Sequence, residues 1–494
     1  MADLAGVNGQ RKEFKVVGKP NLPGVLSWAQ ATGVAKFGID YVVPDMLEAK
    51  FLRSPYANAR VRSVDTTKAR AIHGVVDIVT WDDEDIKNPG GGGGGRGPAQ
   101  GLLNNYAYQE GMEVGVIVVA ENEDICQEAL RALVVDWEVL PHVVDLRKGR
   151  EPDAPVIRTP SPAKKAAPAG GPGGGPGGGP GMGGSTNPPK KGNVSYSNVN
   201  DGDVEKGFKE ADHIIEYDMK TSAFAGHIPN PLGTVAWWFD NPLHGEGKNL
   251  QIEGVPWGHD QVAGLNRVPA SKVFQDCMFV GGRYCDWGIR KSQQITPMLA
   301  KRTGRPVRCV HSRYEMYDFN LCDRYVHMKV GFKNNGLITA IDDFSIADGG
   351  EGISNFGNTM DQTYGPYRTT KCLNIKQNME VVDSNRGRMY VSGQHNPMGW
   401  DTLMAGLYLI AEKLGKDPIE IATLNLHGPE SQTDPNPVPS YEACVAAVKK
   451  MMNWNWHGTG AKKLPDGRMH GASFRYNQCP RHSGAGFNPK LELR

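Results

Sequence analysis

The segment from Val273 to Met316 constrains the fold more strongly than any other part of the chain. It begins with an apolar, β-branched run and breaks at Gly281-Gly282. It then continues as a predicted helix, turns at Gly304 and ends in a second apolar run from Val307 to Val310. A strand, a glycine turn, a helix and a strand in this order can present backbone N–H groups to an anion, because adjacent glycines permit positive φ and close backbone approach. A tight turn without a ligand explains the same pattern, so both interpretations stay open at this point.

The length and charge of the chain narrow its class. A chain of 494 residues is too long for one core, which predicts about two to four domains. With 55 basic and 54 acidic residues the net charge is +1, so there is no overall attraction to nucleic acid or to an anionic membrane. No apolar run is long enough to cross a bilayer, and no apolar core follows Arg11-Lys12 as in a secretory or twin-arginine signal. We therefore expect no nucleic-acid partner and no membrane span.

The cysteines indicate a reducing compartment. The eight cysteines include no CxxC pair and have no regular spacing. This pattern argues against a zinc site, against an iron–sulfur cluster within this chain and against a disulfide framework. A cytoplasmic location is the simplest expectation.

The first 150 residues are predicted to form a compact α+β unit, with Asn122 as the N-cap of a helix. The strands expected in this unit are Ala49–Leu52, Val61–Val64, Val75–Thr80, Val114–Ala120 and Val134–Val139. Residues 151–192 consist largely of proline, glycine, lysine and serine, and they include GGPGGGPGGGPGMGG. Such a composition has too few apolar side chains to offset chain entropy, which predicts a flexible linker or a loop insertion.

A larger α/β unit is predicted from residue 193 to about residue 430. Asn334-Asn335-Gly336 between two apolar runs indicates a hairpin. An amphipathic helix is expected to end at Gly415, and Asp417-Pro418 is expected to start the next one. Residues 431–494 contain a further predicted helix, Tyr441–Met452, and read as the start of an incomplete unit.

Several separated blocks, in their order and spacing, resemble one family. The first region contains ATGVAKFGIDYVVPDMLEAKFLRSPYANARVRSVDTTKA, HGVVDIVTWDD and VGVIVVAENEDICQEALRALVVDWEVLP. The second contains VGGRYCDWG, TGRPVRCVHSRYEM, KVGFKNNGLITAIDDFSIADGG and AEKLGKDPIEIATLNL. Together these blocks resemble the molybdenum-binding large subunits of the xanthine dehydrogenase and aldehyde oxidase type over nearly the whole chain outside its glycine-rich insertions.

The resemblance implies a fold. It predicts an α+β and α/β multidomain chain, with an a/b hammerhead domain at 1–150 followed by a first molybdopterin-binding domain at 193–430. Residues 431–494 would begin a second molybdopterin-binding domain. The end of the chain soon after this point leads us to expect the N-terminal portion of a split subunit, completed by a second molybdopterin-binding chain.

The resemblance also implies a cofactor and partners. The cofactor would be molybdopterin, in its cytosine dinucleotide form, with a molybdenum centre that hydroxylates an electron-poor carbon of a small molecule using oxygen from water. Protein groups would orient the substrate and carry protons, and no side chain would ligate the metal directly. Electrons would leave through iron–sulfur clusters and FAD, so a [2Fe-2S] subunit and an FAD subunit are expected partners.

Three departures from the family pattern bear on the site. In the glycine loop, Tyr284 takes the aromatic position and Cys285 takes the following glycine position. Ser392-Gly393-Gln394 replaces the region of a substrate-binding arginine, which favours a neutral ring or carbonyl substrate. The glycine-valine-glycine-glutamate block that carries the family's catalytic glutamate does not occur in the sequence, so we expect the base on another polypeptide.

The resemblance assigns candidate residues to three groups. The expected cofactor-binding residues are Gly281, Gly282, Arg283, Tyr284, Cys285, Gly349 and Gly350. The expected substrate-pocket residues are His227, Asn230, Tyr390, Ser392, Gln394 and His395. Glu351 is a weak candidate for a substitute catalytic carboxylate. Structural roles compete with these assignments: His227 could be a hydrogen-bonded loop histidine, and Cys285 could be a buried, inert thiol.

Three functions remain open from the sequence. The first is a subunit of a molybdenum hydroxylase that acts in a complex. The second is a molybdenum-dependent hydratase, which adds water to an activated double bond and releases no electrons. The third is a non-catalytic scaffold subunit that keeps the fold without the site.

Overall fold

The computed structural model describes most of the chain in separate ranges. These ranges are 24, 26–87, 102–157, 190–222, 231–241, 243, 246–254, 258–276, 279, 291–320, 323–350, 366–367, 369–389, 397–426, 437–456, 458 and 461–475. All structural statements below concern these residues.

The described chain contains both helices and strands. The strands are β1 Leu47–Arg53, β2 Ala59–Asp65, β3 Val75–Thr80, β4 Tyr106–Ala107, β5 Glu113–Ala120, β6 Val134–Val139, β7 Lys190–Lys191, β8 Val194–Asp201, β9 His213–Thr221, β10 Gly233–Phe239, β11 Asn249–Glu253, β12 Val273–Asp276, β13 Val307–Val310, β14 Phe319–Asn320, β15 Arg324–Phe332, β16 Ile338–Gly350, β17 Ile375–Asp383, β18 Arg388–Met389, β19 Lys462–Lys463 and β20 Met469–His470. The α-helices are α1 Ser27–Ala31, α2 Thr67–Arg70, α3 Glu84–Lys87, α4 Glu123–Ala132, α5 Leu146–Gly149, α6 Val204–Glu210, α7 His259–Leu265, α8 Lys291–Thr303, α9 Pro397–Leu414, α10 Pro418–Asn425 and α11 Pro437–Met451. Short 3-10 helices lie at Gly38–Asp40, Ala270–Lys272 and Tyr314–Asp318.

A seven-stranded mixed sheet, in the order β12-β11-β10-β13-β1-β5-β3, joins distant parts of the sequence. Strands β12, β11, β13, β1 and β3 run in one direction, and β10 and β5 run in the other. Its β1 comes from the first region and pairs in parallel with β13 from the second, with Leu47 opposite Val307. The sheet therefore crosses the boundary that the sequence predicts near residue 150.

The apolar run of β5 is explained by burial on both faces of this sheet. Ile117 and Val119 pack with α8 in one core, whereas Val116 and Val118 pack with α4 in another. Since neither face meets water, the strand carries a continuous apolar run instead of an alternating pattern. Helix α4 begins as predicted, because the side chain of Asn122 accepts a hydrogen bond from the Ile125 N–H at 3.0 Å.

A six-stranded sheet, in the order β7-β8-β17-β16-β15-β9, forms the core of the second region. Alternate residues of β15, including Met328 and Phe332, pack against Leu407 and Ile410 of α9. Strands β9, β16 and β17 run in one direction and β15 and β8 in the other. Because successive side chains of a strand point to opposite faces, buried and less buried positions alternate in β15 from Arg324 to Val330.

The hairpin turn and the helix ends predicted for this region are confirmed. Gly336 closes the β15–β16 hairpin at a φ of 98°. Gly415 follows α9 at a φ of 62°, and the Lys416 N–H bonds the Ala411 carbonyl at 2.9 Å, as in a Schellman motif. Asp417 caps α10 through the Ile419 N–H at 2.9 Å.

The two described ends of the Gly/Pro-rich segment are hydrogen-bonded to each other. The Ile157 N–H donates to Asn193 Oδ1 at 3.1 Å, and Asn193 Nδ2 donates to the Pro155 carbonyl at 2.9 Å. Asn193 is 2% exposed, so this junction is buried. The chain therefore leaves and rejoins the fold at one place.

None of the helices in the described ranges has the length and apolar character that a bilayer crossing requires.

Candidate functional site

Two connections join the two large sheets, and both run between strand ends on one side of each sheet. The chain passes from Thr221, at the end of β9, to Gly233, at the start of β10, and later from Val310, at the end of β13, to Arg324, at the start of β15. In the second connection the His311 N–H bonds the Leu232 carbonyl at 2.7 Å, at the seven-stranded sheet. At its other end the Asp348 N–H bonds the Asp323 carbonyl at 3.1 Å, at the six-stranded sheet. We call the region between these two sheet edges the inter-sheet edge.

The parallel strands of both sheets end at the inter-sheet edge. In the seven-stranded sheet, Glu253 at the end of β11 lies opposite Asp276 at the end of β12. In the six-stranded sheet, Gly350 at the end of β16 lies opposite Asp383 at the end of β17. Carboxyl ends of parallel strands are the usual place for ligands in α/β sheets.

Glu253 introduces a buried carboxyl at the seven-stranded side. The residue is 5% exposed, and Gln251 Nε2 donates to its Oε1 at 2.9 Å. Burial, and next the negative charge of Asp276, raise the pKa of Glu253 to about 7, while hydrogen bonds from Gln251 and Tyr41 oppose this shift. A carboxyl of this pKa can both donate and accept a hydrogen bond near neutral pH.

A charged cluster fixes the start of the inter-sheet connection. Arg53 of β1 donates to His311 Nδ1 at 2.9 Å and to the Glu315 carbonyl at 3.3 Å. Lys50 donates to the Val310 carbonyl at 2.8 Å and lies 3.7 Å from the Glu315 carboxylate. Burial alone would raise the pKa of Glu315, but Arg53, the Ser312 N–H and Lys50 bring it below its usual value. This cluster holds β1 against the start of the inter-sheet connection, so its role is structural.

A second charged cluster lies at the six-stranded side. Asp348 is 1% exposed and accepts hydrogen bonds from Ser384 Oγ at 2.6 Å and from the Gly350 N–H at 2.9 Å. Arg386 lies 2.8 Å from Asp323 and 3.5 Å from Asp348. Burial raises the pKa of Asp348 to about 6 in spite of these hydrogen bonds and of Arg386. Each side of the inter-sheet edge thus carries a buried carboxyl whose pKa is raised.

Gly349 and Gly350 are the predicted cofactor-binding residues that fall in the described ranges. A Cβ on Gly349 would lie 3.0 Å from Val381 Cγ1 and 3.0 Å from the Val382 carbonyl oxygen, so close packing against β17 requires glycine. Gly350 adopts a φ of 54°, and its N–H already bonds Asp348. Both glycines have packing reasons, and their contact with a cofactor stays a prediction.

The other predicted site residues lie outside the described residues. These are His227, Asn230, Gly281, Gly282, Arg283, Tyr284, Cys285, Glu351, Tyr390, Ser392, Gln394 and His395. The described strands that precede these segments nevertheless end at or next to the inter-sheet edge. Residues 223–230 fall between β9 and β10, residues 280–290 follow β12, residues 351–365 follow β16, and residues 390–396 follow β18. Strand β18 itself pairs with β14 of the inter-sheet connection.

Sequence reasoning missed Glu253, Asp348 and Arg386. Glu253 lies in the short strand NLQIE, whose polar residues at alternate positions resemble a solvated face. The side-chain hydrogen bond between Glu253 and Tyr41 joins residues that are distant in sequence, so nothing in this short strand predicts it. The signal that could have found Asp348 is its place directly before Gly349-Gly350 at a strand end.

Two family models match the chain in the order that its fold shows. The aldehyde oxidase and xanthine dehydrogenase a/b hammerhead domain matches residues 32–141, and the molybdopterin cofactor-binding domain matches residues 187–426. The chain belongs to the xanthine dehydrogenase family of molybdenum-binding subunits. The fold class expected from the sequence, a hammerhead domain followed by a molybdopterin-binding domain, is confirmed for this family member.

Curated relatives of this family member differ in length. The nicotinate dehydrogenase large molybdopterin subunit of Eubacterium barkeri is 28% identical over 434 residues, which cover 84% of this chain and 90% of that protein. The probable hypoxanthine oxidase XdhD of Escherichia coli (strain K12) is 28% identical over 350 residues, which cover 67% of this chain and 36% of that protein. The xanthine dehydrogenase molybdenum-binding subunit of Escherichia coli O157:H7 is 25% identical and is covered over 54% of its length. The chain spans most of the first relative and about half or less of the other two.

Solved structures share the fold. Quinoline 2-oxidoreductase from Pseudomonas putida 86 superposes with a TM-score of 0.65 at 20% identity, covering 86% of this chain and 53% of that one. The aldehyde oxidoreductase from Desulfovibrio desulfuricans superposes with a TM-score of 0.66 at 18% identity, covering 87% of this chain and 47% of that one. At these identities the likeness shows the fold alone.

Proposed function

We propose that this chain is the molybdenum cofactor-binding subunit of a multi-subunit molybdenum hydroxylase that oxidises a neutral ring or carbonyl compound. One observation carries the proposal: the segments with the predicted cofactor and substrate residues are all flanked by strands at the inter-sheet edge. Loops that leave two sheets at a common edge can enclose one ligand between them.

The residues at the inter-sheet edge fit a pterin. A pterin presents hydrogen-bond donors and acceptors side by side, and Glu253 with Gln251 supplies a carboxyl and an amide of both kinds. These two residues, and the glycines predicted at 281 and 282, would hold the cofactor, which we infer to be the cytosine dinucleotide form. When bound, the cofactor supplies two-electron redox chemistry at molybdenum with oxygen from water. The raised pKa of Glu253 lets this chain hold a proton beside the cofactor at neutral pH.

We further infer that a companion chain supplies the remaining half of the cofactor site. The support is the Eubacterium barkeri protein, which is called a large molybdopterin subunit and is covered over 90% of its length. The sequence also contains no glycine-valine-glycine-glutamate block, so we assign the catalytic glutamate to the companion chain and keep Glu351 as a weaker alternative. A [2Fe-2S] subunit and an FAD subunit complete the proposed complex. The cytoplasmic location expected from the cysteines stays a prediction.

The proposal is tested on the complex purified through a tag on this chain from its own cells. We expect molybdenum and cytidine nucleotide in about equal amounts with this chain, together with iron, FAD and a second molybdopterin-binding polypeptide identified by mass spectrometry. A panel of N-heterocycles and aldehydes is then assayed in ¹⁸O-labelled water with an artificial electron acceptor. Incorporation of label together with acceptor reduction supports the hydroxylase.

Two results separate the other candidates. Conversion of a substrate without reduction of any acceptor would identify a hydratase. A complex with no molybdenum and no pterin would contradict the proposal and leave a scaffold subunit.

A further inference from the structure

Helix α11 is apolar and yet lies mostly in solvent. Among its described side chains, residues 442–451, Val445 and Lys449 are partly buried and the others are exposed. Val445 packs against the core that α9 forms with the six-stranded sheet. Val448 is 41% exposed and Met451 is 84% exposed. Within residues 442–451, the helix therefore touches its own domain along the line of Val445 and Lys449.

The exposed residues of α11 form a stripe at helical spacing. Ala447 and Val448 each lie three or four residues from both Cys444 and Met451, so the four residues share one face. We call these four residues the α11 stripe. At 3.6 residues per turn, Ala447 and Met451 lie farthest around the helix from Val445, while Val448 lies next to the line that Val445 buries. A helix that faces only water normally carries charged residues on this side, whereas an apolar stripe indicates a partner.

We propose that the α11 stripe is the surface on which the companion molybdopterin-binding chain docks, an inference that rests on the proposed function. The first argument is position: α11 follows the end of the matched molybdopterin-binding domain at residue 426 and is continuous with its core through Val445. The second is length: this chain covers 53% and 47% of two solved relatives, and we infer that the companion supplies the part of that fold which is left uncovered.

The chemistry of the stripe specifies the partner's surface. The small residues Cys444 and Ala447 let another backbone approach closely. Val448 offers a branched apolar side chain to a groove, and Met451 offers a flexible one. Lys450, three residues after Ala447, borders the stripe and carries positive charge. We infer that the companion presents an apolar groove with an acidic rim.

The Cys444 thiol reports whether the stripe is covered. Cys444 is exposed, whereas Cys126, Cys309 and Cys372 are buried. A maleimide is added to the wild-type chain produced alone and to the purified native complex, and labelling of the peptide that contains Cys444 is followed by mass spectrometry. We expect labelling in the complex to be slower by about tenfold or more, because interface cores exclude water. An equal rate in both samples would overturn the proposal.

A pair of variants tests the stripe directly. Val448→Glu combined with Met451→Glu places two charges in it, and Leu243→Glu changes a residue that is 91% exposed elsewhere in the chain. We expect the double variant to bind the companion at least about thirtyfold more weakly, since losing a buried anchor typically has an effect of this size. The Leu243→Glu control should bind as the wild type does. The circular dichroism and thermal midpoint of both isolated variants should equal those of the wild type.

The outcomes separate this proposal from the proposed function. If the double variant keeps companion and molybdenum, the docking surface is wrong and the proposed function stands. If the wild-type complex contains no companion and no molybdenum, both fail. If the wild-type chain forms a homodimer that the double variant dissociates, the stripe contacts a second copy and the proposal is overturned.

Discussion

The guanidinium of Arg324 and the carboxylate of Asp343 form an ion pair in which both side chains are completely buried. Tyr367 Oη and Gln377 Nε2 each donate to Asp343 Oδ2 at 2.8 Å, and Arg324 Nε donates to Ser345 Oγ at 3.0 Å. The pair thus joins β15, β16 and β17 close to the inter-sheet edge. Every strong charge in this network has a partner, as a buried ion pair requires.

Removing one member of this pair should destabilise the chain strongly. We expect Asp343→Ala to lower the free energy of unfolding by about 3–5 kcal/mol, because Arg324 would remain charged and buried without its partner. Lys329→Ala removes a surface ion pair, the 3.0 Å contact with Glu216, and should cost only about 0–1 kcal/mol. Urea denaturation followed by circular dichroism compares the two variants. Equal decreases in the free energy of unfolding for the two variants would show that the buried ion pair stabilises the chain no more than the surface pair does.

Glu253 should make stability depend on pH. Its folded-state pKa, about 7, lies above the ordinary value of 4.5, so the folded protein holds the proton more tightly than the unfolded chain between these values. The contribution of Glu253 to the free energy of unfolding therefore falls as pH rises from about 4.5 to 7. Glu253→Gln does not ionise, so its stability relative to wild type should increase by about 1–3 kcal/mol between pH 5 and pH 8.

The control for this experiment is Glu128→Gln, at an exposed position in α4. Thermal midpoints measured at several pH values should give parallel curves for this control and the wild type. A Glu253→Gln curve that is also parallel to the wild type would contradict the raised pKa.

Gly349 should not tolerate a side chain. Gly349→Ala places a Cβ 3.0 Å from both Val381 Cγ1 and the Val382 carbonyl, which should cost about 1–3 kcal/mol as overpacking. The matched control is Gly471→Ala, since a Cβ at Gly471 meets nothing within 4 Å. Urea denaturation gives the stability, and molybdenum content of the purified complex gives a second readout. A loss of molybdenum in a Gly349→Ala variant that retains full stability would favour cofactor contact over packing.

The described cysteines should differ sharply in reactivity. Burial raises the pKa of Cys126 to about 12 and that of Cys372 to about 11. The thiolate is the reactive form, so at pH 8 these thiols should react with maleimide about a hundredfold or more slowly than Cys444, which is exposed. Peptide mass spectrometry over time measures each rate, and urea should abolish the difference. Rapid labelling of Cys126 in the native chain would contradict its burial.

Local sequence patterns were sufficient for many elements of the fold. The strands at Val75–Thr80, Val134–Val139 and Val307–Val310 have the bounds that their apolar runs predict. The caps at Asn122 and Asp417 also follow from their residue types. In each case the deciding interactions lie within a few residues in sequence, so the local pattern contains the information.

Long-range pairing could not be predicted in this way. The pairing of β1 with β13 depends on two strands from opposite sides of the Gly/Pro-rich segment, and nothing in either run specifies its neighbour. The same limit applies to Glu253, whose side chain is hydrogen-bonded to Tyr41, more than 200 residues earlier in the sequence. Tertiary contacts of this kind decide which polar residues become buried and therefore which ones acquire unusual acidity.

The hydrogen bonds around Asn193 have a consequence for how this chain can vary. Because Ile157 and Asn193 are hydrogen-bonded to each other, the positions at which this stretch joins the fold are fixed relative to each other. The entropic cost of closing a loop grows only with the logarithm of its length, so residues added between 158 and 189 should cost the fold little stability. It is a natural insertion point, where a fluorescent reporter or an affinity domain could be grafted while the inter-sheet edge stays intact.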